Sequence, residues 1–238
     1  MRSDTNVEDL AGFTGAGLNL TLPNVVGFDN LLQSIGEVWG SPFTARAFAW
    51  RLSHMTRPEH VNTSILLLES VASDKSGVLV TQDIDTGDPD VISVAVNEGL
   101  GGAVDGQAAE SLRVALDGSR VRVLATATAP WRRVPDPAGG LRHLPSSGSD
   151  TVLDPDEIGQ LVDFARNLPR NFPPITDDEG NPAPADVEFG FLDGQLRLFQ
   201  LRPFLESKMA RGIEYLQGME SHLEDTHRVA VPMSGVPE

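Results

Sequence analysis

The stretch "ADVEFGFLDGQLRLFQLRPF", residues 185–204, constrains the fold more than any other part of the chain. Two apolar-rich runs flank Asp193-Gly194, a dipeptide that commonly closes a β-hairpin. Each run carries a spaced polar pair, Asp186 with Glu188 and Gln200 with Arg202. Side chains alternate between the two faces of a strand, so the register decides whether these four groups meet. A two-residue turn sets Glu188 opposite Phe199, mixes charge with large apolar groups on both faces, and would remove the site. A three-residue loop, Leu192–Gly194, with Gly194 left-handed and a bulge, sets Glu188 opposite Gln200. Val187, Phe189, Phe199 and Leu201 then share one face, and Asp186, Glu188, Gln200 and Arg202 share the other. That segregated register is the expectation, because a buried face does not hold unpaired charge.

The polar face has two readings. Half-exposed strands commonly present a solvated face, although such a face favours Thr and Lys. Here two carboxylates, an amide oxygen and a guanidinium lie within a cross-strand spacing of about 5 Å. Carboxylate and amide oxygens are hard ligands suited to Mg²⁺, which keeps substrate phosphates in its shell. A guanidinium beside them is a fork for phosphate oxygens. The chemistry this set suggests is Mg-nucleotide binding.

Along the rest of the chain, residues 1–26 have the Gly, Asn, Asp and Thr content of loops and turns. Leu31, Leu32, Ile35 and Val38 recur at helical spacing over residues 28–39. A second helix is expected from Ser41 as cap and Pro42 at its first position to about Leu52. "SILLLESVA", "SGVLVTQDI" and "DVISVAVNE" read as strands, with further strands around 110–117 and 120–127. Residues 130–150, dense in Pro, Gly, Ser and Arg, read as a surface loop. "DPDEIGQLVDFARNL" reads as an amphipathic helix capped by Asp154, and a last helix interrupted by Gly212 and Gly218 precedes an unpatterned tail. Helices, strands, helix, hairpin and helix in that order predict an α+β fold, not βαβ alternation.

Bulk properties exclude several classes. The formal net charge of −16 disfavours nucleic-acid and anionic-membrane partners. With no cysteine, disulfides, thiolate nucleophiles and Cys-ligated zinc are excluded. The polar start "MRSDTNVEDL" is no signal peptide, and no apolar run spans a bilayer, so a cytoplasmic protein is expected. The basic residues are 16 Arg and two Lys, Lys75 and Lys208, which leaves little for a phosphate-binding lysine. No GxxxxGK[ST] occurs, which excludes a P-loop.

"DVEFGFLDGQLRLFQLRP" resembles the closing signature of the nucleotide-binding domain in phosphoenolpyruvate synthase, pyruvate phosphate dikinase and their relatives. Three more stretches fit in order: "RSDTNVEDLAGFTGAGL", whose wording is also similar to the glucan, water dikinases, then "SGVLVTQDIDTG" and "NEGLGGAVDG". The resemblance implies an ATP-grasp-like domain over residues 1–205, mainly antiparallel sheet flanked by helices and lacking the family's N-terminal subdomain. Residues 206–238 would form a helix and linker toward further domains. It also implies ATP-driven phosphorylation of a histidine on a separate swivelling domain, with a third domain passing the phosphate to pyruvate. By matched positions, Glu188 and Gln200 would hold Mg²⁺, and Arg202, with Glu188, would serve catalysis by positioning and charge neutralisation. Arg2 and Asp186 would complete the nucleotide contacts. Thr14, Gly15 and Gly17 would form a loop over the phosphates, and Glu69 would sit on the strand serving as adenine hinge.

Two departures stand out. "GLGG" places Gly102 where the family has Glu, and "GGLRHLPSS" has too short a spacing to make His143 a phosphocarrier. Three readings remain: the ATP-binding part of a dikinase, a standalone acidic binding module that keeps the fold without catalysis, and a dikinase whose acceptor is a glucan or an antibiotic.

Overall fold

The computed structural model describes residues 1–6, 9–10, 13–14, 19–103, 106–177 and 179–204, with side chains described for all of these except 9, 10, 13, 14, 53 and 54. The helix and tail expected beyond residue 205 lie outside them.

β1 (Arg2–Thr5) opens the chain, followed by the two-residue strands β2 (Asp9–Leu10) and β3 (Phe13–Thr14), which pair with each other. α1 (Phe28–Gly40) buries Val38 and Ser34, while Leu32 and Trp39 on its other side stay exposed. Ser41 does not cap the second helix. Its hydroxyl donates to Val38 O at 2.8 Å, serving the carbonyl end of α1, and a short 3₁₀ turn, Ser41–Phe43, follows. Thr44 caps α2 (Ala45–His54) by accepting from Ala47 N. β4 (Thr63–Leu66) then pairs antiparallel with β1, Arg2 opposite Leu66.

The body of the protein is a six-stranded antiparallel sheet. It contains β5 (Lys75–Val80), β6 (Val91–Glu98), β7 (Glu110–Ala115), β8 (Val121–Ala125), β11 (Ala185–Leu192) and β12 (Gln195–Pro203), in the order β12-β11-β5-β6-β7-β8. One face carries Leu79, Val94, Val96, Leu112, Val187 and Phe189 against Leu161, Val162, Ala165 and Leu168 of α3 (Pro155–Asn171). This apolar layer, built from the side chains that each strand turns toward α3, is the core.

α3 starts with a capping box: Asp154 accepts from Glu157 N, and Glu157 accepts in return from Asp154 N. Glu157 is 4% exposed and also pairs with Lys75 of β5 at 2.6 Å, which ties the helix to the sheet. Glu110 of β7, equally buried, accepts from Val152 N and Leu153 N just before the helix. Both carboxylates therefore satisfy backbone donors that would otherwise be orphaned.

Residues 130–150 are not a loop. β9 (Trp131–Pro135) and β10 (Leu141–Pro145) form a second hairpin, with Trp131 opposite Pro145 and Pro135 opposite Leu141. The Pro and Gly density marks strand ends and the turn, and an isolated pair of strands tolerates proline where a central strand does not. Asn24, at φ 50°, holds the tip: its amide donates to Asp136 O at 2.7 Å and Gly140 O at 2.8 Å, and Gly140 N donates to Asn24 O. Among the described residues, no helix is long and apolar enough to cross a membrane.

The signature hairpin departs from expectation in its turn. Asp193 and Gly194, at φ 52° and 70°, form a two-residue turn, so Leu192 pairs with Gln195 and Phe189 with Leu198. A bulge between Glu188 and Phe189 then absorbs Phe199 and sets Glu188 opposite Gln200 and Asp186 opposite Arg202. The expected three-residue loop is wrong, yet the two polar pairs do face each other. Phe199 does not join the core face: a Cβ on Gly190 would meet its ring at 2.8 Å, and Gly190 lies on the Glu188 side of β11.

Candidate functional site

The four polar residues of the hairpin lie on the face of the sheet opposite α3. Beneath them, Val78 is the partner of Glu188 and Val80 the partner of Asp186 on β5. One step along, Ser76 lies opposite Gly190, and its hydroxyl donates to Gly99 O at 2.6 Å and accepts from Gly101 N at 2.8 Å. The Gly-Leu-Gly segment is thereby fastened to the same face as the polar pairs. Gly102 is closely packed: a Cβ there would come within 2.5 Å of Gln107 Oε1 and 2.9 Å of Asn97 Cβ.

Two ion pairs organise the site. Arg202 Nε donates to Asp186 Oδ2 at 2.8 Å, directly across the strand pair. Arg2 Nη1, carried in by β1, donates to Glu188 Oε2 at 3.3 Å across 186 residues of sequence. These side chains are a sixth to a quarter exposed, so the pairs are neither free in solvent nor fully buried. Gln200 stands between them, opposite Glu188. Its Oε1 is buried and has no hydrogen-bond partner.

That orphaned oxygen is the chemical feature of the site. A buried acceptor without a donor is costly unless something electropositive reaches it. A divalent cation held by Glu188 and Gln200 would do so, with phosphate and water filling its other positions. Two protein oxygens are fewer than a protein-only metal centre needs; among the described residues no cluster of three or more His, Asp or Glu exists that could hold a metal. The donor set thus fits Mg²⁺ arriving with a phosphorylated ligand.

Of the other residues expected here, Thr14 lies on β3 opposite Asp9, and Gly15 and Gly17 lie outside the described residues. Glu69 is not on a strand: β4 ends at Leu66, and Glu69 is exposed in the irregular segment that follows. Phe199 and Ser76 border the site and were not among the expected residues. The signal for Phe199 is present in the sequence, since the strict alternation Leu196-Arg197-Leu198 breaks at the adjacent apolar pair Leu198-Phe199.

At the far end of β5, the turn after it is closed by Asp83, whose carboxylate accepts from Asp85 N at 2.9 Å and from Arg113 Nε at 3.1 Å. Burial works to raise the Asp83 pKa, but the Asp85 amide, Arg113 and the Thr86 amide together lower it below its ordinary value.

Comparison with known proteins places the chain in a family. Residues 1–220 match the family described as pyruvate phosphate dikinase, AMP/ATP-binding domain. A rifampicin phosphotransferase of Bacillus cereus is 29% identical over 206 residues, covering 85% of this chain and 23% of that protein. A probable phosphoenolpyruvate synthase of Archaeoglobus fulgidus is also 29% identical, over 214 residues, 85% of this chain and 26% of that protein. A rifampicin phosphotransferase of Bacillus subtilis is 35% identical over 104 residues, 44% of this chain and 12% of that protein. The chain thus spans about a quarter of the length of the first two relatives. With the match running through both the hairpin and the Arg2 strand, the chain belongs to the family of the pyruvate phosphate dikinase AMP/ATP-binding domain.

Proposed function

We propose that residues 1–205 form an ATP-grasp-like domain that binds Mg·ATP and serves a phosphotransferase of the phosphoenolpyruvate synthase type. In this reading the γ- or β-phosphoryl group goes to a histidine on a separate swivelling domain, reached through residues 206–238. The observation that carries it is the orphaned Gln200 Oε1 opposite Glu188, flanked by Arg2 and Arg202. Glu188 and Gln200 would hold Mg²⁺, which supplies charge neutralisation on the phosphates. Arg202, kept in an extended strand by Pro203 and oriented by Asp186, offers its guanidinium to phosphate oxygens. Arg2 offers a second. These residues act by position and charge and form no covalent bond.

The acceptor is set elsewhere in such proteins. The relatives named rifampicin phosphotransferase and phosphoenolpyruvate synthase match equally well, so an antibiotic and pyruvate stand as alternative acceptors, and a glucan as a third on the wording of residues 2–18 alone.

One observation favours a second reading, a module that keeps the fold and binds without transferring phosphate. Lys75, one of two lysines, is committed to Glu157, on the opposite side of the sheet from the site.

Calorimetric titration of Mg·ATP into the chain tests the first reading. Binding that weakens about 10-fold or more in Arg202→Ala and in Glu188→Ala supports a nucleotide site at these residues. Binding unaltered by both substitutions removes it.

A further inference from the structure

We propose that the Arg2–Glu188 ion pair is a latch: a divalent cation taken up by Glu188 and Gln200 releases the Arg2 guanidinium, which then accepts an anionic phosphate. This rests on the reading above, in which those two oxygens bind Mg²⁺. The two arginines of the site are not equivalent. Arg202 is held by Asp186 at 2.8 Å, a normal charge-assisted length, whereas Arg2 reaches Glu188 at 3.3 Å. Arg2 is therefore the more loosely bonded of the two. It also occupies a carboxylate oxygen that the cation needs, while leaving Gln200 Oε1 without a donor.

A cation between Glu188 and Gln200 satisfies the orphaned oxygen and removes the reason for Arg2 to stay. Like charge at such a separation then drives the guanidinium away. The backbone of β1 cannot follow, because Arg2 is paired with Leu66 and bridged to Thr21, and the neighbouring Met1 amine donates to Leu22 O at 3.0 Å. Only the side chain moves, so the freed fork remains beside Glu188 and Gln200. Cation and anion then bind with positive coupling, each making room for the other.

The experiment uses the full chain, labelled with ¹⁵N-arginine, and follows the Arg2 guanidinium signal by NMR, assigned by its loss in Arg2→Lys. Mg²⁺ is titrated without nucleotide. The expected result is a displaced Arg2 signal while Arg202 stays in place. In parallel, Mn²⁺ binding read by water-proton relaxation should tighten about three- to fivefold in Arg2→Gln, and stay near the wild-type value in Arg2→Lys. An Arg2 signal that Mg²⁺ leaves unmoved, equal Mn²⁺ affinity in wild type and Arg2→Gln, or no cation binding in either protein overturns the latch. Mg·ATP calorimetry on the same samples separates the two ideas. Nucleotide binding with an unmoved Arg2 sinks the latch alone, and a Mg²⁺-released Arg2 without nucleotide binding sinks the nucleotide reading alone.

Discussion

Glu188 and Gln200 stand directly opposite each other on β11 and β12, although the turn joining their strands has two residues and the pairs nearest that turn run in a register one residue out of step. The bulge at Phe199 makes up the difference. It is the reason that two carboxylates, an amide and an arginine share a face behind which the core is apolar.

A deletion series tests this. Removing Phe199 leaves Leu198 opposite Phe189 and brings Gln200 opposite Glu188 in an unbroken ladder, so the fold should survive at a cost of about 1–3 kcal/mol for the lost ring. Removing Leu201 instead places Arg202 opposite Val187, on the core side, and should abolish cooperative unfolding. Thermal melts by circular dichroism distinguish the two, and equal damage from both deletions would contradict the bulge as the compensating element.

Gly190 is where the Phe199 ring lies down. A Cβ at this position would meet Ser73 Oγ at 2.5 Å and the ring at 2.8 Å. Gly190→Ala is expected to lose about 1–3 kcal/mol in chemical denaturation, and a smaller residue in Phe199→Leu should restore part of it. A neutral Gly190→Ala would show that the ring has room to move.

Lys75 and Glu157 couple sheet to helix. Lys75→Met strips a nearly buried carboxylate of its partner and should cost about 1–3 kcal/mol, a range that allows for the partly exposed lysine. Adding Glu157→Gln removes the stranded charge while keeping a capping side chain, so the double variant should regain most of the loss. Urea unfolding midpoints give the answer, with additive losses as the contrary result.

The Asp83 turn should give the protein an acid-sensitive component of stability. Because the folded carboxyl is more acidic than the unfolded one, its contribution is complete above the unfolded value. It disappears as pH falls through the folded value. Asp83→Asn should therefore be less stable than the parent near neutrality and show a smaller further loss on acidification. Parallel pH profiles for the two proteins would rule Asp83 out as a source of that slope.

Much of this architecture was legible from local rules. Asp154, Pro155 and the acids of the first turn mark α3, short β-branched and apolar runs broken by Asp and Gly mark β5 and β6, and alternation marks the polar pairs, because caps, runs and periodicity are properties of short segments. Errors arose where distant contacts chose between local options. Ser41 looks like an N-cap, but its hydroxyl is drawn to the end of α1 and to Leu20 N. Residues 130–150 look irregular until Asn24, more than 100 positions earlier, is seen gripping the turn between β9 and β10. Glu69 falls past the end of β4 because that strand's length is set by its four-residue partner, β1.

The span between Arg2 and Glu188 has a consequence for synthesis. One half of the ion pair is synthesised 186 residues before the other. At ~5–20 residues per second, about 10–40 s pass during which Arg2 has no carboxylate to meet. The sheet too is incomplete until then, since β5 stays an open edge until β11 is laid beside it. The nascent chain therefore carries an exposed, apolar strand edge during that interval, and this site is complete only once the signature hairpin has left the exit tunnel.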